Sequence, residues 1–332
     1  MLETSGSAGA SIRIAEDLAS IIDDGATRRV LPVIGRSALQ NVQDLAMLRG
    51  VDMAILQADM VDNVRQQRSL GGIEGGFTYI AKLYNEEFHL LVRPEIKTFA
   101  DLANQTVNVD IRGAGTGVTA ARLFDLLRVR VVTTNDSQEV ALEKLRTGEI
   151  AALAFVAAKP APLFAMLRRD EGLHFLAVPL DPFVAKEYIP TSLTPADYPT
   201  LIAGDQAVDT VAVGSILAVA PLKPGVERYK NVSTFVDVFF TEFRALLEPG
   251  FHPKWREVNL ATEMPGWKRF PPAQQWLDRN VNVARQSPQD IKALFSRFVD
   301  VRQQVSGSTP MSEQQKQGLF DEFSRWQAGQ PR

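Results

Sequence analysis

Apolar residues in the first part of the chain follow two alternating patterns. They recur at helical spacing from Ile12 to Ile22, and a short apolar segment then occupies residues 30–35. A second helical pattern begins at Ala38, and the apolar run at residues 53–56 is typical of a buried strand. Helices that alternate with short buried strands predict an α/β fold with a parallel sheet.

The alternation continues through the middle of the chain. Ser137 is a suitable N-cap and Gly148 a suitable stop for one helix, and Thr98 with Asp101 predicts a capped turn. From Val232 onward the pattern is helical, and it includes two further helices in the last part of the chain. Strands are predicted around residues 88–92, 106–111, 150–158, 173–180 and 208–220, and the segment after residue 190 is predicted to be a loop.

The stretch "VNVDIRGAGTGVTAARLFDLL" at residues 107–127 predicts a strand, a glycine-rich loop and a helix over residues 118–128. The first turn of a helix has unpaired N–H groups and a partial positive charge, so this loop is a candidate anion site. A P-loop is excluded because no lysine follows Gly117, and the G-x-G-x-G spacing does not fit a dinucleotide turn. A tight turn that binds nothing is the alternative interpretation.

Composition removes several classes of function. The chain of 332 residues has a net charge of −3 and no basic block, so no nucleic-acid partner is expected. It has no cysteine, and its three histidines, His89, His174 and His252, are far apart in sequence. We therefore expect structural or surface histidines, no metal, no cofactor and no catalytic residues.

No apolar run approaches the length that crosses a bilayer, and "MLETSGSAGAS" has neither the basic start nor the apolar segment of a signal peptide. Two interpretations remain open on this evidence. The protein is cytoplasmic, or the sequence starts after a removed signal.

Several stretches, taken in order, resemble the TAXI-type solute-binding proteins of TRAP transporters. They are "VDMAILQADM", "KLYNEEFHLLVRPEIKTFADLANQTVNV", "GAGTG", "LRTGEIAALAFVAAKPAPL", "YIPTSL" and "VDTVAVGSILAV". The resemblance implies an α/β, two-lobed periplasmic-binding-protein fold of type II-like architecture, with a ligand cleft between the lobes and a helical C-terminal tail. We expect residues 1–90 and 207–300 in lobe 1, residues 91–206 in lobe 2, and a C-terminal helical extension at residues 301–332.

The resemblance also implies which residues border the cleft. Arg112 is added because it precedes the glycine-rich loop and can pair bidentately with a carboxylate; a surface arginine is the alternative. Asp59 suits a ligand ammonium, or else caps the helix that follows it. The expected ligand-binding residues are Ser7, Ala8, Gln57, Asp59, Tyr84, Arg112, Gly115, Thr116, Gly117, Val118, Phe155 and Lys159.

The function implied is that of a periplasmic receptor without enzymatic activity. It captures a small organic anion, a carboxylate or an amino acid, and delivers it to the membrane permease subunits of a TRAP transporter. Such receptors are expected to be monomers. The alternatives are an enzyme that uses the same cleft and a cytoplasmic sensor domain whose C-terminal helices contact a partner.

Overall fold

The structure, a computed structural model, describes residues 1–5, 9–168, 171–204 and 206–280. The strands in this part of the chain are β1 (Leu2–Ser5), β2 (Pro32–Gly35), β3 (Met53–Gln57), β4 (Thr78–Val92), β5 (Thr106–Asn108), β6 (Val132–Thr134), β7 (Ala152–Ala157), β8 (His174–Phe175), β9 (Ile189–Leu193), β10 (Val208–Val219) and β11 (Lys268–Arg269). The α-helices are α1 (Ala10–Ile22), α2 (Ala38–Met47), α3 (Ala58–Gln67), α4 (Gly115–Leu126), α5 (Gln138–Thr147), α6 (Pro162–Ala165), α7 (Pro182–Glu187), α8 (Glu227–Thr241) and α9 (Pro271–Arg279).

The strands form one mixed sheet in the order β2-β1-β3-β10-β4-β7-β5-β6, with β8 and β11 paired to β4 and β9 paired to β10. β1 is parallel to β2 and β3, and β5 is parallel to β6 and β7. The long strands β4 and β10 lie between these two parallel sets and are antiparallel to each other. We call β1–β3 with α1–α3 the first lobe, and residues from β5 to the segment after β9, with α4–α7, the second lobe.

This topology confirms the predicted α/β class and its division into two lobes. The sheet is parallel only within each lobe, however, because β10 runs antiparallel to β3 and β4 runs antiparallel to β7. The expected lobe boundaries fall inside β4, at residues 90–91, and just before β10, at residues 206–207; they stay a prediction. The expected helical extension at residues 301–332 lies outside the described residues.

Several elements differ from the sequence prediction, which had no strand at β1 and placed the start of α8 at Val232 rather than Glu227. Helix α4 starts at Gly115 rather than at residue 118, because packing of its first turn overrides the low helix propensity of two glycines. Strand β4 covers Thr78–Val92 rather than residues 88–92, since its polar "NEE" segment hides the strand pattern. The loop predicted after residue 190, from Pro195 and Pro199, overlaps the end of β9, and β8 is shorter than expected. Proline is tolerated in β9 because this strand pairs on one side only, with β10.

The predicted helix boundaries at α5 are confirmed. The Ser137 side chain accepts a hydrogen bond from the backbone N–H of Val140, and Gly148 ends the helix with a φ of 83°. The Thr98 segment forms a 3₁₀ turn over Phe99–Leu102, in which the Asp101 carboxylate accepts from the Thr98 N–H at 2.7 Å. These local signals succeed because a cap depends on neighbours in sequence rather than on tertiary packing.

Each lobe has its own apolar core. The first lobe buries Val42, Leu45, Leu56, Val61, Val64 and Ile216 between its sheet and α2 and α3. The second lobe buries Val92, Val107, Leu123, Phe124 and Val156 between its sheet and α4. Two separately packed cores keep each lobe rigid, so that the loops at the strand ends hold fixed positions within a lobe.

A further core cluster of the second lobe encloses His89, which is completely buried. Its Nδ1 lies 3.3 Å from the carbonyl oxygen of Phe155, and its Nε2 lies 2.6 Å from the Tyr198 hydroxyl. Because a carbonyl only accepts, Nδ1 carries the proton and Nε2 accepts from Tyr198, whose oxygen accepts in turn from the N–H of Ala161. His89 is thus a structural histidine, and burial lowers its pKa from 6.5 to about 4.

We expect His89 to make the fold sensitive to acid. Between pH 6.5 and about 4, the unfolded chain binds a proton at this position and the folded chain does not. The free energy of unfolding therefore falls as the pH is lowered through this window, by about 3 kcal/mol from this residue. Urea unfolding across the window measures the effect. A His89→Gln variant, which cannot be protonated there, should show the smaller dependence on pH; equal slopes would contradict the prediction.

Candidate functional site

The two lobes meet where α3 and α4 begin. The Thr119 hydroxyl of α4 donates a hydrogen bond of 2.6 Å to Oδ2 of Asp59, in the first turn of α3. Beside it, Val118 packs against the core of the first lobe. The backbone N–H of Leu39 donates to the carbonyl of Gly113 at 3.0 Å. The glycine-rich loop is therefore seated against the opposite lobe.

Gly115 is required by a close approach across this contact. A Cβ at this position would stand 1.4 Å from Oε1 of Gln57, which no side chain can accommodate without displacing the glutamine. At Gly117, by comparison, a Cβ would meet only the carbonyl oxygen of Val109, at an ordinary 3.5 Å. The glutamine side chain at the end of β3 thus lies against the first turn of α4.

Gln57 links this contact to the long strand β4. Its Nε2 donates to Oε2 of Glu86 at 2.6 Å, which orients the amide so that Oε1 faces Gly115. Tyr84, two residues before Glu86, is completely buried, and Glu86 and Ser215 are polar neighbours of its hydroxyl. Gln57, Tyr84, Glu86 and Ser215 therefore form a polar cluster on one side of the central strands.

A sheet irregularity explains how β4 serves two polar clusters. Gly214 pairs with Asn85 and Ile216 pairs with Lys82, so that Leu83 and Tyr84 together oppose Ser215. Such a bulge re-aims side chains and interrupts their strict alternation. Asn85 and Lys82 interact with each other through a 2.5 Å hydrogen bond, away from Tyr84 and Glu86.

The second polar cluster consists of Glu87, Lys254 and Glu257, and Lys254 forms ion pairs with both glutamates. The Lys254 ammonium lies 3.2 Å from Glu87 and 2.8 Å from Glu257, and Glu257 also accepts from the backbone N–H of Asn85 at 3.2 Å. The Glu87 carboxylate accepts in addition from the N–H of Lys159 at 2.9 Å. These contacts tie the segment after α8 to β4 and give the second cluster a structural role.

Burial dominates the electrostatics of Asp59 and Glu86. It raises the pKa of Asp59 to about 6, against the opposing effect of the Thr119 hydrogen bond. It raises the pKa of Glu86 to about 7, and the charges of Glu87 and Asp59 add to that increase. Burial and the nearby Asp59 carboxylate also raise the pKa of Tyr188, a residue of the second lobe. Charge on the two carboxyl groups is therefore costly in the structure as it stands.

The structure brings some of the predicted site residues together and leaves others apart. Gln57, Asp59, Tyr84, Gly115 and Val118 all lie at the contact between the lobes. Ser7 and Ala8 lie outside the described residues.

Other predicted site residues have side chains that contact their own lobe or are exposed to solvent. The Thr116 hydroxyl accepts from the N–H of Val156 at 3.1 Å, within its own lobe, and Arg112 is exposed on the loop. The Lys159 ammonium pairs with Asp197 at 3.0 Å, and Phe155 packs against Phe164.

Glu86, Thr119 and Ser215 were missed by the sequence analysis. Glu86 follows Tyr84 by two positions in "LYNEE", so strand alternation alone could have placed both on one face. Thr119 lies four residues after Gly115, on the same face of α4. Nothing in the local sequence around Ser215 signals its position, which depends on the pairing of β10 with β3.

Two concave surfaces lie away from this contact. One, of about 400 Å³, is lined by Glu16, Asp23 and Arg29 among others, and another, of about 540 Å³, is lined by Arg93, Arg146 and Glu171. In the latter, Arg93 pairs with Glu95 at 2.6 Å and Arg146 with Glu171 at 2.7 Å. The arginines of this second surface are therefore matched by protein carboxylates, and we place the candidate site between the lobes.

No group of three or more histidine, aspartate or glutamate side chains in the described part of the chain is arranged to hold a metal ion. Of the helices described, none combines the length and the apolar character needed to cross a bilayer.

Solved structures with a similar course of the chain include several solute-binding proteins. The periplasmic binding protein BugD is 14% identical, with a TM-score of 0.47, over 85% of this chain and 94% of that one. An ABC uptake substrate-binding protein from Streptococcus pneumoniae with bound histidine is 12% identical, with a TM-score of 0.47, over 79% and 94%. A TctC solute-binding protein from Polaromonas is 16% identical, with a TM-score of 0.44, over 77% and 86%.

These TM-scores are all below 0.5, so the likenesses decide nothing about the ligand of this chain. No curated protein matches the chain in sequence. A family model does match, over residues 3–230, which include both lobes and the contact between them. The chain belongs to the NMT1-like family.

Proposed function

We propose that this protein is an extracytoplasmic solute receptor, which captures a small organic ligand between its lobes and delivers it to a membrane permease. The observation that carries the proposal is the position of the first turn of α4. No side chain caps this turn, and it faces the polar end of β3 in the other lobe. Uncapped N–H groups at a helix start are suited to bind an anionic group.

The ligand class that fits this turn is a carboxylate or an amino acid. Its carboxylate would take hydrogen bonds from the N–H groups of the first turn, where Gln57 now lies. In the sheet, Gln57 ends β3 and is free to turn because its side chain is held by the single hydrogen bond to Glu86. Ligand entry would therefore require the lobes to separate and Gln57 to move.

The contacts that close the lobes suit a reversible movement. The Asp59–Thr119 and Leu39–Gly113 hydrogen bonds and the packing of Val118 cross between α3, α2 and α4. Hydrogen bonds of this kind contribute only about 1 kcal/mol each, so a ligand with a few new contacts can compete with them. Delivery to a TRAP permease and a periplasmic location are supported by the resemblance to the TAXI-type receptors.

Native mass spectrometry of the purified protein, before and after unfolding, tests the proposal directly. We expect release of a small organic acid or amino acid, unchanged after rebinding. Because the lobes must separate to admit a ligand, we expect the free protein to populate an open form, and X-ray scattering should show a smaller radius of gyration with that compound than without it. Chemical turnover of the compound would favour an enzyme, and a released nucleotide would contradict the proposed use of α4.

A pair of glycine substitutions tests the contact between Gln57 and α4. We expect Gly115→Ala to displace the Gln57 amide from Glu86, to weaken the contact between the lobes and to lower stability by about 1 kcal/mol, because the new methyl group overlaps that amide. Gly117→Ala is the matched control in the same turn, where the methyl group finds ordinary contacts and alanine favours the helix.

Urea unfolding gives the stability of both variants, and scattering gives the separation of the lobes. Equal effects of the two substitutions would show that the approach of Gln57 does not constrain the lobes.

A further inference from the structure

Three buried polar atoms at the contact between the lobes have no hydrogen-bond partner among the described residues. They are Oε1 of Gln57, Oδ1 of Asp59 and the hydroxyl oxygen of Tyr84. An unsatisfied buried polar atom costs about 1–3 kcal/mol, so such atoms are rare and require an explanation. Three such atoms at one contact offer hydrogen-bonding positions to a ligand.

The three atoms belong to one cluster. Gln57 is hydrogen-bonded to Glu86, and the completely buried Tyr84 directs its hydroxyl toward the same glutamate. Asp59 lies close enough to Glu86 for its charge to act on it, and it reaches the second lobe through Thr119. The cluster therefore spans the surface that the ligand of the proposed receptor would contact.

Negative charge in this cluster is not matched by a cation of its own. Neither Asp59 nor Glu86 forms an ion pair with any residue in the described part of the chain. The Lys254 ammonium is close enough for its charge to act on Glu86, but it already forms ion pairs with Glu87 and Glu257. Two half-buried carboxyl groups beside unpaired acceptor oxygens would be stabilised by a positive group that binds between them.

The ligand group that fits this cluster has hydrogen-bond donors and no acceptors. An ammonium group has three N–H donors and a positive charge, whereas a carboxylate or phosphate would place further acceptors against those of Gln57, Asp59 and Glu86. We infer that the ligand carries a protonated amine, which binds between Gln57, Asp59 and Glu86, with the Tyr84 hydroxyl at its edge. This inference rests on the proposed receptor function and narrows the ligand to amino acids and other amine-bearing acids.

Minimal probes test the amine position without knowledge of the whole ligand. Methylammonium chloride, sodium acetate and acetamide have similar size and differ in charge. Thermal unfolding at rising millimolar concentrations, at constant ionic strength, gives an apparent Kd for each probe. We expect methylammonium to stabilise the wild type and acetamide to have no specific effect.

Variants assign the effect to the cluster. Glu86→Gln should raise the apparent Kd for methylammonium about tenfold or more, because it removes the counter-charge and keeps the side-chain shape. Glu139→Gln, at an exposed position on α5, is the matched control and should leave that Kd unchanged. If Glu86→Gln does not fold, Asp59→Asn takes its place, since asparagine can still accept from Thr119.

The outcomes separate this inference from the proposed function. Stabilisation by methylammonium that is lost in Glu86→Gln and kept in Glu139→Gln supports the inference. Stabilisation by acetate alone would overturn it and leave the proposed receptor for carboxylates in place. Equal effects of methylammonium on wild type and Glu86→Gln would overturn it as well, and the absence of any specific effect of either ion would count against both.

Discussion

The close approach of Gln57 to Gly115 is the constraint on which the arrangement of the lobes depends. The Gln57 side chain at the end of β3 lies against the start of α4, in a conformation that leaves no room for a side chain at residue 115. Beside this contact, Asp59 in the first turn of α3 accepts a hydrogen bond from Thr119 of α4, and Val118 of α4 packs against the first lobe. Residues far apart in sequence thereby share one small volume between two rigid cores.

The same constraint explains why the glycine-rich loop was only partly predictable. The sequence indicated a strand, a loop and a helix, and it showed that the glycines fit neither nucleotide motif. It placed the helix start too late because Gly115 and Gly117 have low helix propensity, while the decisive contact comes from Gln57 on another strand. A glycine required by a tertiary contact cannot be told from a flexible one by its neighbours in sequence.

Other parts of the fold were predictable to the extent that local chemistry determines them. Ser137 and Gly148 bound α5 as expected, because caps act within a few residues. Strand β4 was underestimated because its polar middle supplies Glu86 to one cluster and Glu87 to the other, which interrupts the apolar pattern. The residues of the candidate site were likewise only partly predictable, because some of their contacts are long-range. Gln57, Asp59 and Tyr84 lie together at the lobe contact, but the pairing of Lys159 with Asp197 is a long-range contact that no local pattern reveals.

Glu86 and Glu87 show how adjacent, chemically identical residues acquire different roles. Glu87 is paired with Lys254 and accepts from the N–H of Lys159, so its charge is balanced within the protein and fixes the structure around β4. Glu86 accepts a hydrogen bond from the amide of Gln57 but forms no ion pair in the described chain, and burial raises its pKa to about 7. A balanced charge gains nothing from a further cation, whereas an unbalanced one gains both a Coulombic partner and hydrogen bonds. Because the paired side of β4 holds the strand in place, the unpaired side can retain this unfavourable cluster, and its free energy is then available to favour a ligand that carries the missing charge.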